Sequence, residues 1–260
     1  MGVGSLSNYG DFNNSVALGN IPHIVHDNLF GFNLDVDMGT AEDVWAGGGN
    51  YPGFPLGAPE PVRITSTAVA DAQNGIGAHS YFITGLETST SEAYTTEFLL
   101  AHPTNGTTPV VSTKSWYRVS QVFVATAGTS GTAQGVITCQ HNVTLANIFG
   151  TIPLGYNRTQ AAIITVPANN LFNAQEGSIS VGLTGGGNTE ALVSGMVRTP
   201  GGVFQAVFSY LASSSKFVRF DFGYLGRVPP GSDIKFRVQN VTANNTIVTC
   251  SLNFIFNRLT

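Results

Sequence analysis

The chain has 260 residues, of which 42% are hydrophobic and only 10% charged, with a formal net charge of −4. That length admits two ordinary β domains or one large sandwich, and the apolar fraction is ample for a packed core. The negative balance and the absence of a Lys/Arg run exclude the clustered phosphate contacts of a nucleic-acid binder, and no apolar stretch reaches the length of a membrane-spanning helix.

Charged residues fall far short of the roughly 25% of an ordinary soluble domain. Gly contributes 31 residues, and Thr, Asn and Ser dominate the polar positions. These side chains fit pleated surfaces and turns better than helix interiors. A surface made of them, with apolar residues between, suits lasting contact with neighbours better than free diffusion. The N-terminal stretch MGVGSLSNYGDFNNSVALGN has neither the basic start nor the apolar run of a secretory signal, and none is expected.

Residues 1–27 lack periodicity and read as an N-terminal arm. Residues 28–61 are dense in Gly and Pro and read mostly as loop, with a short helix candidate at Glu42–Trp45. Strands begin after Pro61: VRITSTAV, HSYFITGL, AYTTEFLLA, RVSQVFVATA and GVITCQ, with GTSGTAQG (128–135) as a hairpin connection. A second short helix candidate covers Leu145–Phe149.

A second series of strands starts near Thr159: QAAIITVPANN, GSISVGLT, EALVSGMV, VFQAVFSYL, KFVRFDFGYL, DIKFRVQN and TIVTCSLNFIF. Even spacing of this kind is the pattern of a sandwich or jelly roll. Phe217, Arg219 and Asp221 alternate with Val218, Phe220 and Phe222, and Lys235-Phe236-Arg237-Val238 repeats the alternation, as in a half-buried antiparallel sheet. The fold class expected is all-β: an arm (1–27), a β-rich domain (28–158) and a C-terminal jelly-roll-like sandwich (159–260).

Chemistry-bearing residues are sparse. Asp35, Asp37, Glu42 and Asp43 place carboxylates at alternate positions that suit a hard cation, but Met38 and Gly39 stand where an EF-hand loop needs further ligands. The bland reading is a capped turn or interface loop. His23, His26, His79, His102 and His141 form no helix-spaced pair. No Gly-x-Ser-x-Gly elbow occurs, and the Gly47–Gly49 and Gly185–Gly187 runs precede no Lys-Ser/Thr helix start. Cys139 and Cys250 sit in strand-like runs and divide between buried free thiols and a disulfide joining the two halves. Trp45, Tyr51 and Trp116 are candidates for stacking on a sugar ring or for an interface loop, against core packing as the commoner use. Neither an enzyme active site nor a cofactor is expected.

The segment GTAEDVWAGGGNYPGFP (39–55), followed by ITSTAVADAQNGIGAHSYFITGL (64–86), resembles a recurrent pattern of tailed-phage virion structural proteins. SWYRVSQVFVATAGTSGTAQGVIT, RTPGGVFQAVF and VPPGSDIKFRV continue the likeness from about residue 31 onward. Such a resemblance implies a bacteriophage virion component in a particle assembled in the host cytoplasm. The expected role is a capsid decoration or cement protein on the outside of the head, bound to the major capsid protein or other virion proteins as a homo-oligomer, trimer before dimer. The alternative is a head-fibre, appendage or tail component whose loops contact a host glycan.

Overall fold

The computed structural model describes residues 15–16, 20–54, 57–222 and 227–259. Seventeen β-strands are formed among them, and every ladder is antiparallel. No helix of the described residues is long and apolar enough to cross a membrane.

The strands form two sandwiches, one inserted into the other. In the larger, one sheet runs β1 (Ile24–Val36), β17 (Thr246–Arg258), β11 (Asn170–Leu183), β14 (Val218–Asp221), with β15 (Arg227–Val228) also on β11. Its facing sheet runs β10 (Ile163–Thr165), β16 (Asp233–Val241), β12 (Glu190–Arg198), β13 (Gln205–Ser213), with β2 (Glu42–Asp43) added to β16. Alternate residues such as Ile179, Val193, Phe236, Val248 and Phe254 point inward and close one core.

Between β2 and β10 the chain builds the second sandwich. One sheet runs β6 (Val110–Trp116), β3 (Glu60–Ser66), β8 (Ile137–His141), β9 (Ile148–Ile152); the other runs β5 (Thr95–Leu100), β4 (Ala78–Leu86), β7 (Arg118–Ala127). Val62, Ile64, Tyr81, Ile83, Trp116 and Val122 fill its separate core. The chain leaves this unit along β7, where Val124 N donates to Asn157 O (2.8 Å) and Thr159 N to Val122 O (2.9 Å), and enters the larger sandwich at β10.

Several sequence expectations change. β1 crosses the expected 27/28 boundary and pairs with β17 from Ile24 to Val36, so this stretch belongs to the C-terminal sandwich and not to an arm or loop. Residues 1–14 and 17–19 of the expected arm lie outside the described residues. Glu42–Asp43 is a strand on β16 rather than a helix, and Leu145–Phe149 is a turn running into β9. Residues 128–135 do not make a hairpin: they carry the chain from β7 in one sheet to β8 in the facing sheet.

The inward positions of β1 explain why it escapes a periodicity test. Gly31 sits where an added Cβ would lie 2.1 Å from the backbone N of Ala162, so the strand approaches its neighbour too closely for a side chain. Asn33, also buried, donates from Nδ2 to the Glu42 carboxylate (2.9 Å) and to Asp43 O (3.3 Å). Gly and Asn at core positions erase the apolar alternation, and the β1–β17 register is interrupted just after Asn33.

Candidate functional site

Two features stand out: a buried polar-aromatic junction between the sandwiches, and an apolar edge strand.

The junction is built on β16. Asp233, Lys235 and Arg237 alternate along that strand and therefore share the face opposite to the core residues Ile234, Phe236 and Val238. Solvent does not cover this face. The 43–54 loop and the start of β7 lie over it. Asp233 accepts from Arg118 Nε (3.3 Å), Arg198 Nε (3.0 Å) and Thr165 Oγ1 (2.6 Å), which ties the inserted sandwich to both β10 and β12. Asp43, fully buried, accepts from Lys235 Nζ (2.8 Å), Arg237 Nη1 (3.1 Å) and Tyr51 N (2.8 Å).

Four cations thus meet two carboxylates, and aromatic faces supply what the carboxylates do not. The Phe204 ring lies 4.7 Å from the Arg198 guanidinium and 4.5 Å from Lys235 Nζ; Phe54 lies 5.4 Å from Arg118 and 5.2 Å from Arg198. Burial pulls the Lys235 ammonium below its ordinary pKa, opposed by the Asp43 carboxylate. Every carboxylate oxygen here is engaged, including the Asp233 oxygen that accepts from the buried Thr165 hydroxyl. Chemically the cluster is an adhesive.

The residues proposed from sequence as a glycan platform are buried. Trp45 is 3% exposed, Tyr51 9% and Trp116 0%. Trp45 and Tyr51 pack edge to face at 5.3 Å with Ile163 in a small core of their own under the junction. The Tyr51 hydroxyl donates to Phe149 O (2.8 Å) on β9, and burial raises its pKa above the ordinary phenol value. Trp116 belongs to the core of the inserted sandwich. None offers a ring face to a sugar; they serve packing because each sits on an inward strand position or under the loop.

The acidic quartet is divided as well. Glu42 accepts from Gly49 N (2.7 Å) and Asn33, Asp43 faces Lys235 and Arg237, Asp37 accepts from Asn245 N (3.2 Å), and Asp35 is exposed. No group of His, Cys, Asp and Glu among the described residues converges as a metal site. Cys139 and Cys250 are free thiols in different cores, and burial raises both their pKa values.

The second feature, β13, was read from sequence only as one more strand. It is the edge of its sheet, and no strand of the described residues pairs with its outer side. Its nine residues, QAVFSYLAS, contain no charge. Val207 is 62% and Leu211 64% exposed, and Leu192 on β12, directly opposite Leu211, is 38% exposed. Edge strands of free monomers are ordinarily blunted by Lys, Pro or a bulge; β13 has one bulge, between Gly195 and Met196 on its partner, and none of the others. A smaller patch lies on the outer face of the inserted sandwich. There Phe98, Phe82 and Phe123 stand abreast across β5, β4 and β7, with rings 5.4 and 5.3 Å apart and Phe98 51% exposed.

Among solved structures, the chain is similar to a chain in the structure of infectious bursal disease virus, Gx strain, at 10% identity. That match covers 91% of this chain and 76% of the other, with a TM-score of 0.21. A chain of the infectious bursal disease virus VP2 subviral particle is similar at 10% identity, over 96% of this chain and 82% of the other, with a TM-score of 0.16. No family model matches the chain. No curated protein matches it either.

Proposed function

We propose that this protein is a structural building block of a virion, and that its function is to assemble with copies of itself and with other shell proteins rather than to catalyse a reaction. The uncharged, apolar edge strand β13 carries the reading. A row of unpaired backbone groups flanked by Val207 and Leu211 suits lasting strand-edge or face contact and is a liability to a free monomer. The composition agrees: with charged residues at 10%, little on the surface opposes close packing between like subunits.

Within that class, the resemblance of residues 39–86 to tailed-phage virion proteins favours a decoration or cement protein on the outside of the head. Binding across subunit boundaries would stabilise the shell by mass action, since any ligand of the closed lattice raises the free energy of opening it. The fibre or appendage reading loses its glycan platform with the burial of Trp45, Tyr51 and Trp116.

Cryo-electron microscopy of intact particles tests the proposal directly. Hundreds of copies in a lattice on the head surface, with β13 in a contact, are expected. A few copies at a tail or fibre tip would overturn the decoration role, and absence from purified particles would overturn the virion role.

A further inference from the structure

The larger sandwich is not closed along its whole length. Between its two sheets, on the side where β13 faces β14 and β15, lies an apolar cavity of about 370 Å³. Phe172, Phe208, Tyr210, Phe236 and Met196 are among its walls, and Arg227 is the one charged residue among the described residues that line it.

Protein interiors pack as tightly as organic crystals, with voids seldom larger than a water molecule. A space of this size belongs instead to the range of small-molecule sites. At about 30 Å³ per water- or methylene-sized group, it has room for about a dozen such groups. Its described walls offer aromatic rings and a thioether, and no side-chain carboxylate or amide, a lining that suits hydrocarbon. Among the described residues, no acidic side chain forms an ion pair with the exposed Arg227. Arg227 stands on β15, at the edge of its sheet, and lines the cavity.

Gly195 fixes how one wall of the cavity lies. Gly195 on β12 leaves the Phe208 ring lying across the backbone of β12, where an added Cβ would come within 2.1 Å of the ring. With any other residue at 195, Phe208 would have to swing away from the strand.

We propose that this cavity binds a single-chain amphiphile of about twelve carbons with a monoanionic head, a fatty-acid carboxylate, with its chain between the sheets and its carboxylate at Arg227. The site shares β13 with the structural role proposed above, since Val207 also lines the cavity, and its ligand is bound by the free protein.

Titration of the purified full-length chain with dodecanoate, dodecanol and dodecyltrimethylammonium tests it, read by calorimetry and thermal unfolding. Dodecanoate is expected to bind one per chain and to raise the melting temperature. Dodecanol should bind more weakly, and the cationic amphiphile more weakly still. Arg227→Gln should lower dodecanoate affinity about three- to fivefold, the size of an exposed ion pair, and leave dodecanol unchanged. Ala174→Leu, on an inner wall, should abolish binding with the fold retained, and Val228→Phe replaces it should that variant not fold. No binding of dodecanoate, equal binding of all three amphiphiles, or binding undiminished by the filled wall would each overturn the proposal. So would a filled wall that changes only the oligomeric state, because the space would then hold a side chain from a second copy.

Discussion

Replacing Asp43 by Asn isolates the electrostatics of the junction. The carboxylate is fully buried and holds Lys235, whose side chain is 9% exposed, at 2.8 Å. It also holds Arg237, more accessible at 21%, at 3.1 Å. Asn keeps the shape and one acceptor but removes the charge. Stranding a buried partner costs about 3–5 kcal/mol. Because Arg237 retains Asn50 Oδ1 and Ala41 O, the lower end, about 3 kcal/mol, is expected here. For a chain of this size that corresponds to a fall of about 6–12 °C in melting temperature. Urea unfolding followed by tryptophan fluorescence is the assay. Trp45 reports the junction and Trp116 the inserted sandwich, so loss of the junction alone would separate the two transitions. Adding Lys235→Met should recover part of the loss, since the stranded ammonium is then gone. The pH dependence has a defined sign. Lys235 is depressed in the folded state, so between its folded and ordinary values the unfolded chain binds more protons and stability rises with pH. Without Asp43 the depression deepens, and the cost of the substitution should shrink as pH approaches the ordinary lysine value. A loss under about 1 kcal/mol at neutral pH, or no recovery in the double variant, would refute the adhesive role of the cluster.

Val207→Lys with Leu211→Lys places two charges on the exposed side of β13 and should leave the melting temperature within a few degrees while reducing self-association, as read by light scattering; unchanged association would remove β13 from the interface. Gly31→Ala forces a methyl group into the backbone of Ala162 and should cost more than about 2 kcal/mol, whereas Gly57→Ala, with open space at its Cβ, should cost little; equal effects in urea titrations would contradict the close approach of β1. Cys139 and Cys250 should not react with a thiol reagent in the native state and should both react once unfolded, because burial hides the sulfurs and raises their pKa values; rapid stoichiometric labelling of the folded chain would contradict their burial. Glu176→Gln breaks an exposed pair with Arg219, which holds the Glu176 carboxyl below its usual value, and should change stability by less than about 0.5 kcal/mol at neutral pH; a larger loss would show that exposed pairs in this charge-poor chain are screened less than usual.

Strands that present one apolar and one polar face were legible in the sequence. The run RVSQVFVATA coincides with β7, and EALVSGMV with all but the last residue of β12. β1 was not legible, because Gly31 and Asn33 occupy inward positions for reasons of close approach and hydrogen bonding to Glu42. β6 was not legible for a related reason. Its VVSTKSW turns Ser112 inward to accept from Val62 N (2.9 Å), so a polar residue again stands where periodicity wants an apolar one. The insertion of one sandwich between β2 and β10 of the other could not be read locally at all. It depends on β1 pairing with β17, more than two hundred residues away, and register between distant strands leaves no local trace.

The junction shows how a correct pattern can lead to a wrong surface. Lys235 and Arg237 alternate with Phe236 and Val238, and alternation of that kind ordinarily means one face in water. Here the polar face is covered, and what makes the covering tolerable is Asp43, at the start of the chain, together with Phe54 and Phe204 laid over the cations. The readable clue was the triplet Asp233, Lys235, Arg237, which puts both signs of charge on one strand face in a chain with only 26 formally charged side chains. A chain so poor in charge has little reason to spend three on one solvated face. Their concentration on β16, set against a β13 without any, separates two kinds of surface in this protein: the charged face is already occupied from within, and the uncharged edge pairs with no strand among the described residues on its outer side.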